Sequence, residues 1–474
     1  HYVLANMFPK CLLDVIHDRH PTCRLSIWGW QRLGLREPGL EGLVRAKLPE
    51  FDDPFEIELL RSPCLHTISL FEHACRPQLQ EYVPECIFPL ITMAPNLKHV
   101  YLRRSASDAR ELLSSNQRWN DYIASMDPVY TAAPISLSVH GDYYSLLEWS
   151  KSTDFSSLRS VEFDSIPRPL ELMPYLAGLQ NLECLCLTLS RQFISPQSFN
   201  NDLKSMFAGL NPLQYLRIRG TQDTSLIHEV FLNHGKTLRG FILEPLDHNA
   251  TFFQRGEQHP IYPELSHHDI IKFAVSSPRL EELRLPIERS RGNRRERQLY
   301  EALGKFPSLQ SLILDLDCNP RERLVGDQAR RSRVTRKWTI SGVMLNAAMD
   351  ETLARAIWDV INSNRTQGRL THLRISIFGE ETLRGAEREA IRRLARSFLI
   401  SKTPSSKGAS LAEIGRQERE LRAARQLQYD RRPAPKLPPR LQQVIRSLWP
   451  TTSAKVTWDF SWKSSPLEGE VPPS

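Results

Sequence analysis

The 474-residue chain has no stretch approaching the ~18 consecutive apolar residues of a membrane span. It also lacks a glycine-rich phosphate loop, a G-x-S-x-G nucleophile elbow and an H-E-x-x-H zinc helix, so the common nucleotide-binding and hydrolytic motifs are excluded. Eight cysteines (Cys11, Cys23, Cys64, Cys75, Cys86, Cys184, Cys186 and Cys318) form no regular framework. That argues against a disulfide-stapled secreted scaffold and for a reduced intracellular setting, cytoplasm or nucleus. The opening residues, HYVLANMFPK, lack the basic start and small-residue cleavage site of a signal peptide. They begin on His1 rather than Met, so an upstream segment is expected. Cys64-x-His66 and His73-x-Cys75 have the residue types of a zinc set without finger spacing. Cys184 and Cys186 share one strand face, with no two further ligands in evidence. The expectation is therefore no catalytic residue, no metal and no cofactor.

What the chain does have is repetition. Nine times it carries a turn residue, then Leu, two residues, an aliphatic or Phe, one residue, and another aliphatic or Phe. The copies start at Leu65, Leu97, Leu158, Leu182, Leu213, Leu238, Leu280, Leu309 and Leu370. At this composition about five matches would arise by chance, so the count alone is weak. The flanks are stronger: Pro63, Asn96, Ser157, Asn181, Pro212, Gly235, Pro278, Pro307 and Gly368 place a turn before every copy. A unit of this size buries its apolar side only against a neighbour. The phrase is the strand half of a leucine-rich repeat. The expected fold is α/β: an irregular leucine-rich-repeat-like solenoid with parallel strands on the concave face, helices outside, and a helical, partly disordered C-terminal extension.

The spacings of 61 residues after Leu97 and after Leu309 suggest one hidden copy each, at Pro134–Val139 and at Trp338–Ile340. A 42-residue spacing points to an insertion over Asp247–Glu264. Helical spacers are expected at 78–92, 106–125, 145–151, 196–208, 225–233, 267–275 and 294–303, with Asp108 and Ser225 as N-caps and Pro196 in a first turn. Four segments follow: a helix–strand cap at 1–50, the repeats at 51–378, a charged helical extension at 379–432, and a Pro-rich segment and tail at 433–474. In the extension, Glu387, Glu389, Arg392 and Arg393 are spaced for ion pairs, and Leu411–Tyr429 reads as a second helix. The last dozen residues read as disordered.

Because side chains alternate along a strand, the residues between the buried positions must face the concave surface. His99, Tyr101, Arg103, Glu162, Tyr215, Arg217, Arg219, Glu282, Arg284, His372 and Arg374 are the candidate protein contacts, since aromatic and Arg side chains dominate interface energetics. The net charge is +8, with Arg concentrated in 289–297, 321–337 and 384–432. Glu is interleaved and no aromatic alternates with the Arg, so these runs read as solvated surface rather than a nucleic-acid groove.

The helix followed by HPTCRLSIW (His20–Trp28), the Ser-Pro-x-Leu-x-x-Leu-x-Leu phrase of Ser277–Leu285 and its relative Phe306–Leu314, and the irregular helical spacers together resemble fungal F-box proteins with leucine-rich-repeat-like C-terminal regions. The resemblance covers about residues 1–378. It implies a substrate receptor of a cullin–RING ubiquitin ligase, with a protein substrate chosen by the repeats. A Skp-type adaptor and cullin are implied partners only if an F-box precedes residue 1, because Leu48-Pro49-Glu50-Phe51 is followed by Asp52, Asp53 and Pro54 where an F-box helix should run. The alternatives are a leucine-rich scaffold unconnected with ubiquitin and a nucleic-acid-associated protein using the Arg-rich runs.

Overall fold

The structure, a computed structural model, describes residues 8–30, 32–33, 53–71, 79–80, 91–103, 131–140, 150, 153–166, 169, 173–189, 196–246, 262–319, 339–365, 367–380, 383, 385–402, 408–417, 421, 437–450 and 462–469. The chain separates into two compact units, His1–Leu213 and Gln214–Ser474. Both are α/β, built on open, mostly parallel sheets.

In the first unit, strands β1 (Leu25–Trp30), β2 (Leu65–Phe71), β3 (His99–Arg103), β4 (Ser136–His140), β5 (Ser160–Ile166) and β6 (Cys184–Leu189) pair in chain order, all parallel. Helices α1 (Lys10–Arg19), α2 (Asp53–Arg61) and α3 (Pro196–Gly209) belong to this unit. In the second, β7 (Tyr215–Arg219), β8 (Gly240–Glu244), β9 (Glu282–Glu288), β10 (Ser311–Asp317) and β11 (His372–Phe378) are parallel neighbours. Two antiparallel strands follow, β12 (Ser397–Ser401) and β13 (Ser410–Ile414). Between the strands run α4 (Thr224–His234), α5 (His267–Ser276), α6 (Arg294–Leu303), α7 (Ile340–Ala347), α8 (Glu351–Ser363), α9 (Gly385–Leu394) and, after β13, α10 (Pro439–Leu448). Parallel neighbours need a crossover segment, and these helices supply it.

The repeated phrase is the sheet's packing register. Leu216, Phe241, Leu283, Leu312 and Leu373 lie opposite one another on successive strands and are all at most 2% exposed. The leading Leu of every copy, from Leu65 to Leu370, is buried as well. Burial of one aliphatic side chain contributes about 1.5–3 kcal/mol, so three per strand dominate each turn of chain. The turn flanks are stitched across turns by side chains. Asn96 Nδ2 donates to Pro63 O at 2.8 Å, Ser157 Oγ to Pro134 O at 2.7 Å, and Asn181 Nδ2 to Ser156 O at 2.8 Å. Asn211 Nδ2 reaches Gln180 O at 2.9 Å, and Ser308 Oγ reaches Pro278 O at 2.6 Å. A short polar side chain just before the Leu thus satisfies a carbonyl of the preceding turn, which an aliphatic residue there would leave open.

Several expected elements differ. The hidden strand at 134–139 is present as β4, but the one at Trp338–Ile340 is not: Thr339 caps α7, accepting from Gly342 N at 3.3 Å. Ile340, Val343, Met344 and Ala347 recur at helical spacing, which a three-residue strand reading misses. Ser225 is not an N-cap; Asp223 holds that place and accepts from Ser225 N at 2.9 Å. The helix expected from Leu411 starts instead as β13, because β12 covers the open edge of β11 and β13 in turn covers the edge of β12. Part of the last dozen residues, expected to be disordered, is packed: Leu467 is buried, Lys463 O accepts from the Trp449 indole at 2.9 Å, and Ser464 binds Asp350 through both N–H and hydroxyl, next to the buried Trp462. Two apolar anchors outweigh the Pro/Ser/Glu composition around them. The expected helices at 106–125, most of 78–92 and 145–151, and the N-cap Asp108, lie outside the described residues.

Candidate functional site

Each strand buries one face, and the opposite face carries the candidate residues. In the first unit Ser26, Thr67, His99, Ser136, Ser160 and Cys184 form one cross-strand row. Trp28, Ser69, Tyr101, Ser138, Glu162 and Cys186 form the next. Strands two apart are separated by about 9.6 Å, yet the Trp28 and Tyr101 ring centroids are 5.3 Å apart and stacked. Both rings lean across the strand between them and roof Ser69, which is 1% exposed. A small residue at 69 is what lets the rings meet. Ser138 Oγ donates to Glu162 Oε2 at 2.8 Å. The His66 and His99 rings lie 5.0 Å apart. Desolvation lowers both imidazole pKa values; for His66 the neighbouring His99, Arg24 and Lys98 add to it, and for His99, Arg24 does. Arg103 belongs to β3, and its side chain lies outside the described residues.

The second unit holds Tyr215, Gly240, Glu282, Ser311, His372 and Ser401 in one row, and Arg217, Ile242, Arg284, Ile313, Arg374 and Leu399 in the next. The Tyr215 ring lies over Gly240, where any Cβ would collide with its Cδ1. A charge ladder crosses four strands. Arg217 donates from Nε and Nη2 to Glu244 Oε2 at 3.0 and 2.6 Å. Arg284 pairs with the other Glu244 oxygen through Nη1 and with Asp315 Oδ2 through Nε at 2.7 Å. Ser376 Oγ donates to Asp315 Oδ1 at 2.9 Å. Tyr262, near the end of the expected insertion, donates to Asp317 Oδ2 at 2.6 Å, two residues beyond Asp315 on the same strand.

The candidate residues therefore fall into two sets. His99, Tyr101 and Glu162 are half-buried on the first unit's face. On the second, Arg217, Arg219 and Arg284 are half-buried, Arg217 and Arg284 within the ladder, whereas Tyr215, Glu282, His372 and Arg374 are exposed. Thr67, Ser69, Glu244 and Asp315, which lie on the same face of their strands as these candidates, are buried. Residue reasoning missed Trp28, although Ser26 and Trp28 alternate with Leu25 and Ile27 and so had to face away from the core.

Other expected sites are engaged elsewhere. Cys64 is buried with its thiol donating to Pro21 O, while His73 and Cys75 lie outside the described residues. Among the described residues no three His, Cys, Asp or Glu side chains converge as metal ligands, and no helix is long and apolar enough to cross a membrane. In the Arg289–Arg297 run, Arg289 is buried against Glu296 at 3.3 Å, Arg295 pairs with Glu264, and Arg297 binds Glu301 at 3.0 Å. Arg396 lies over the Trp462 ring. These guanidinium groups are engaged within the chain, Arg289 in a buried pair and Arg295 in an exposed one. The 321–337 run lies outside the described residues. A scan against family models and a search of curated proteins found no match for this chain.

Proposed function

We propose that this is a non-catalytic, leucine-rich-repeat-like protein whose polar sheet face binds another protein, as the substrate-recognition region of an F-box subunit of a cullin–RING ubiquitin ligase. One observation carries the binding part: on in-register parallel strands, one side is filled by the repeat leucines and the other presents rows of Tyr, Arg, His and Glu. Such rows offer wide, flat contact area with aromatic and forked hydrogen-bonding groups, the features of interface hot spots. The ladder fixes Arg217 and Arg284 before any partner arrives, which reduces the ordering cost of binding. The ligase connection is supported by the family resemblance of the repeats.

The test uses a partner identified by affinity capture, then purified and titrated against the chain. The Tyr215→Ala/Arg374→Ala pair should weaken binding on the order of 1,000-fold, as two hot spots of about 2 kcal/mol each would, with the thermal midpoint unchanged. Equal affinity would remove the sheet face from recognition. For the ligase part, an F-box encoded in frame upstream of His1 is the expected finding. A start codon immediately before His1 would leave the plain scaffold reading.

A further inference from the structure

We propose that Cys184 and Cys186 are a peroxide-reactive thiol pair, with Cys184 attacking and Cys186 resolving to a reversible disulfide within one strand. The two residues alternate with buried Leu185 and Leu187 on β6, so both thiols stand on the same, partly accessible face. Residues i and i+2 of a regular strand are about 6.6–6.8 Å apart at Cα and similarly spaced at Cβ, against a Cβ separation of about 3.5–4.5 Å in a disulfide, so the bridge closes with a local buckle of β6. Ser160 lies opposite Cys184 and Glu162 opposite Cys186 on β5. The Cys184 pKa is lowered to about 7 because its thiolate accepts hydrogen bonds from Cys186 and from Ser160, which together outweigh burial and the charge of Glu162. A low-pKa, accessible cysteine beside a second thiol is the arrangement that senses oxidants.

The chemistry balances with hydrogen peroxide as oxidant. The Cys184 thiolate attacks one peroxide oxygen, the O–O bond breaks, and the departing hydroxide takes a proton to become water, leaving a sulfenic acid. The Cys186 sulfur then attacks the Cys184 sulfur. An S–S bond forms, the S–O bond breaks, and a second water leaves. Two thiols lose two electrons and one peroxide gains them. A bridge that buckles its own strand is strained and readily reduced, so the step is reversible by a dithiol.

The experiment treats the reduced full chain with hydrogen peroxide at neutral pH and follows each cysteine by peptide mass spectrometry. Cys11 and Cys23, both exposed, are internal controls. A drop in pKa of about two units raises the thiolate fraction but lowers nucleophilicity, for a net gain on the order of fivefold to tenfold. The peptide holding both cysteines should therefore lose two hydrogens that much faster than Cys11 or Cys23 is oxidised, and dithiothreitol should restore it. Cys186→Ser should let a sulfenic acid accumulate at Cys184, trapped by dimedone. Cys184→Ser should leave Cys186 reacting at the control rate. Oxidation of the pair at the control rate, or no dimedone adduct in Cys186→Ser, would overturn the assignment.

Discussion

Glu244 is the keystone of the charge ladder, and Glu244→Gln tests whether that ladder is structural. The substitution keeps the side chain's size, so no cavity opens. It removes the negative charge that accepts two hydrogen bonds from Arg217 and one from Arg284, and turns an amide N–H₂ towards one guanidinium. A charge-assisted hydrogen bond contributes about 1.5–3 kcal/mol when well shielded. The side chains of Arg217 and Arg284 are 39% and 30% exposed, so solvent screening reduces the total to about 2 kcal/mol. With a urea slope of about 3 kcal/mol per molar, the unfolding midpoint of the unit beginning at Gln214 should fall by roughly 0.5–0.8 M. A double-mutant cycle with Arg284→Met should show coupling of about 1 kcal/mol. A midpoint that moves less than about 0.1 M, with no coupling, would refute the reasoning and reduce the ladder to independent solvated pairs.

Two further outcomes follow from the packing and the histidines. Trp462→Ala removes a buried ring that stacks under Arg396 and contacts Trp449; it should free the 463–469 segment, cost about 2–4 kcal/mol, and open that segment to limited proteolysis, whereas unchanged protease resistance would contradict the packed tail. His66 and His99 have folded pKa values below 6.5, so the unfolded chain binds more protons and stability rises with pH. The first unit should be fully stabilised above about pH 6.5 and weaken as pH falls below it; replacing both residues with Gln should flatten that slope, and a slope that persists would assign it to other groups.

The repeat positions were legible without coordinates because strand alternation is local. Once Leu216, Leu283 and Leu312 are read as core, Tyr215, Arg217 and Arg284 must face the other way. The helices at 196–208, 267–275 and 294–303 were legible for the same reason, since apolar periodicity and a first-turn proline such as Pro196 are short-range signals. The element at Ser410–Ile414 was not, because Leu411, Ala412 and Glu413 are good helix formers and only the vacant sheet edge makes the segment a strand.

The sequence by itself determined which residues stack and which face away, and where each turn falls, because these follow from periodicity over a few residues. Only the tertiary structure decided that Trp28 reaches Tyr101, that Tyr215 lies on Gly240, that Glu244 binds Arg217 and Arg284, and that Trp462 returns to the core. Each joins residues at least 25 positions apart. Such partners are chosen by strand register and packing between turns, which no local pattern encodes.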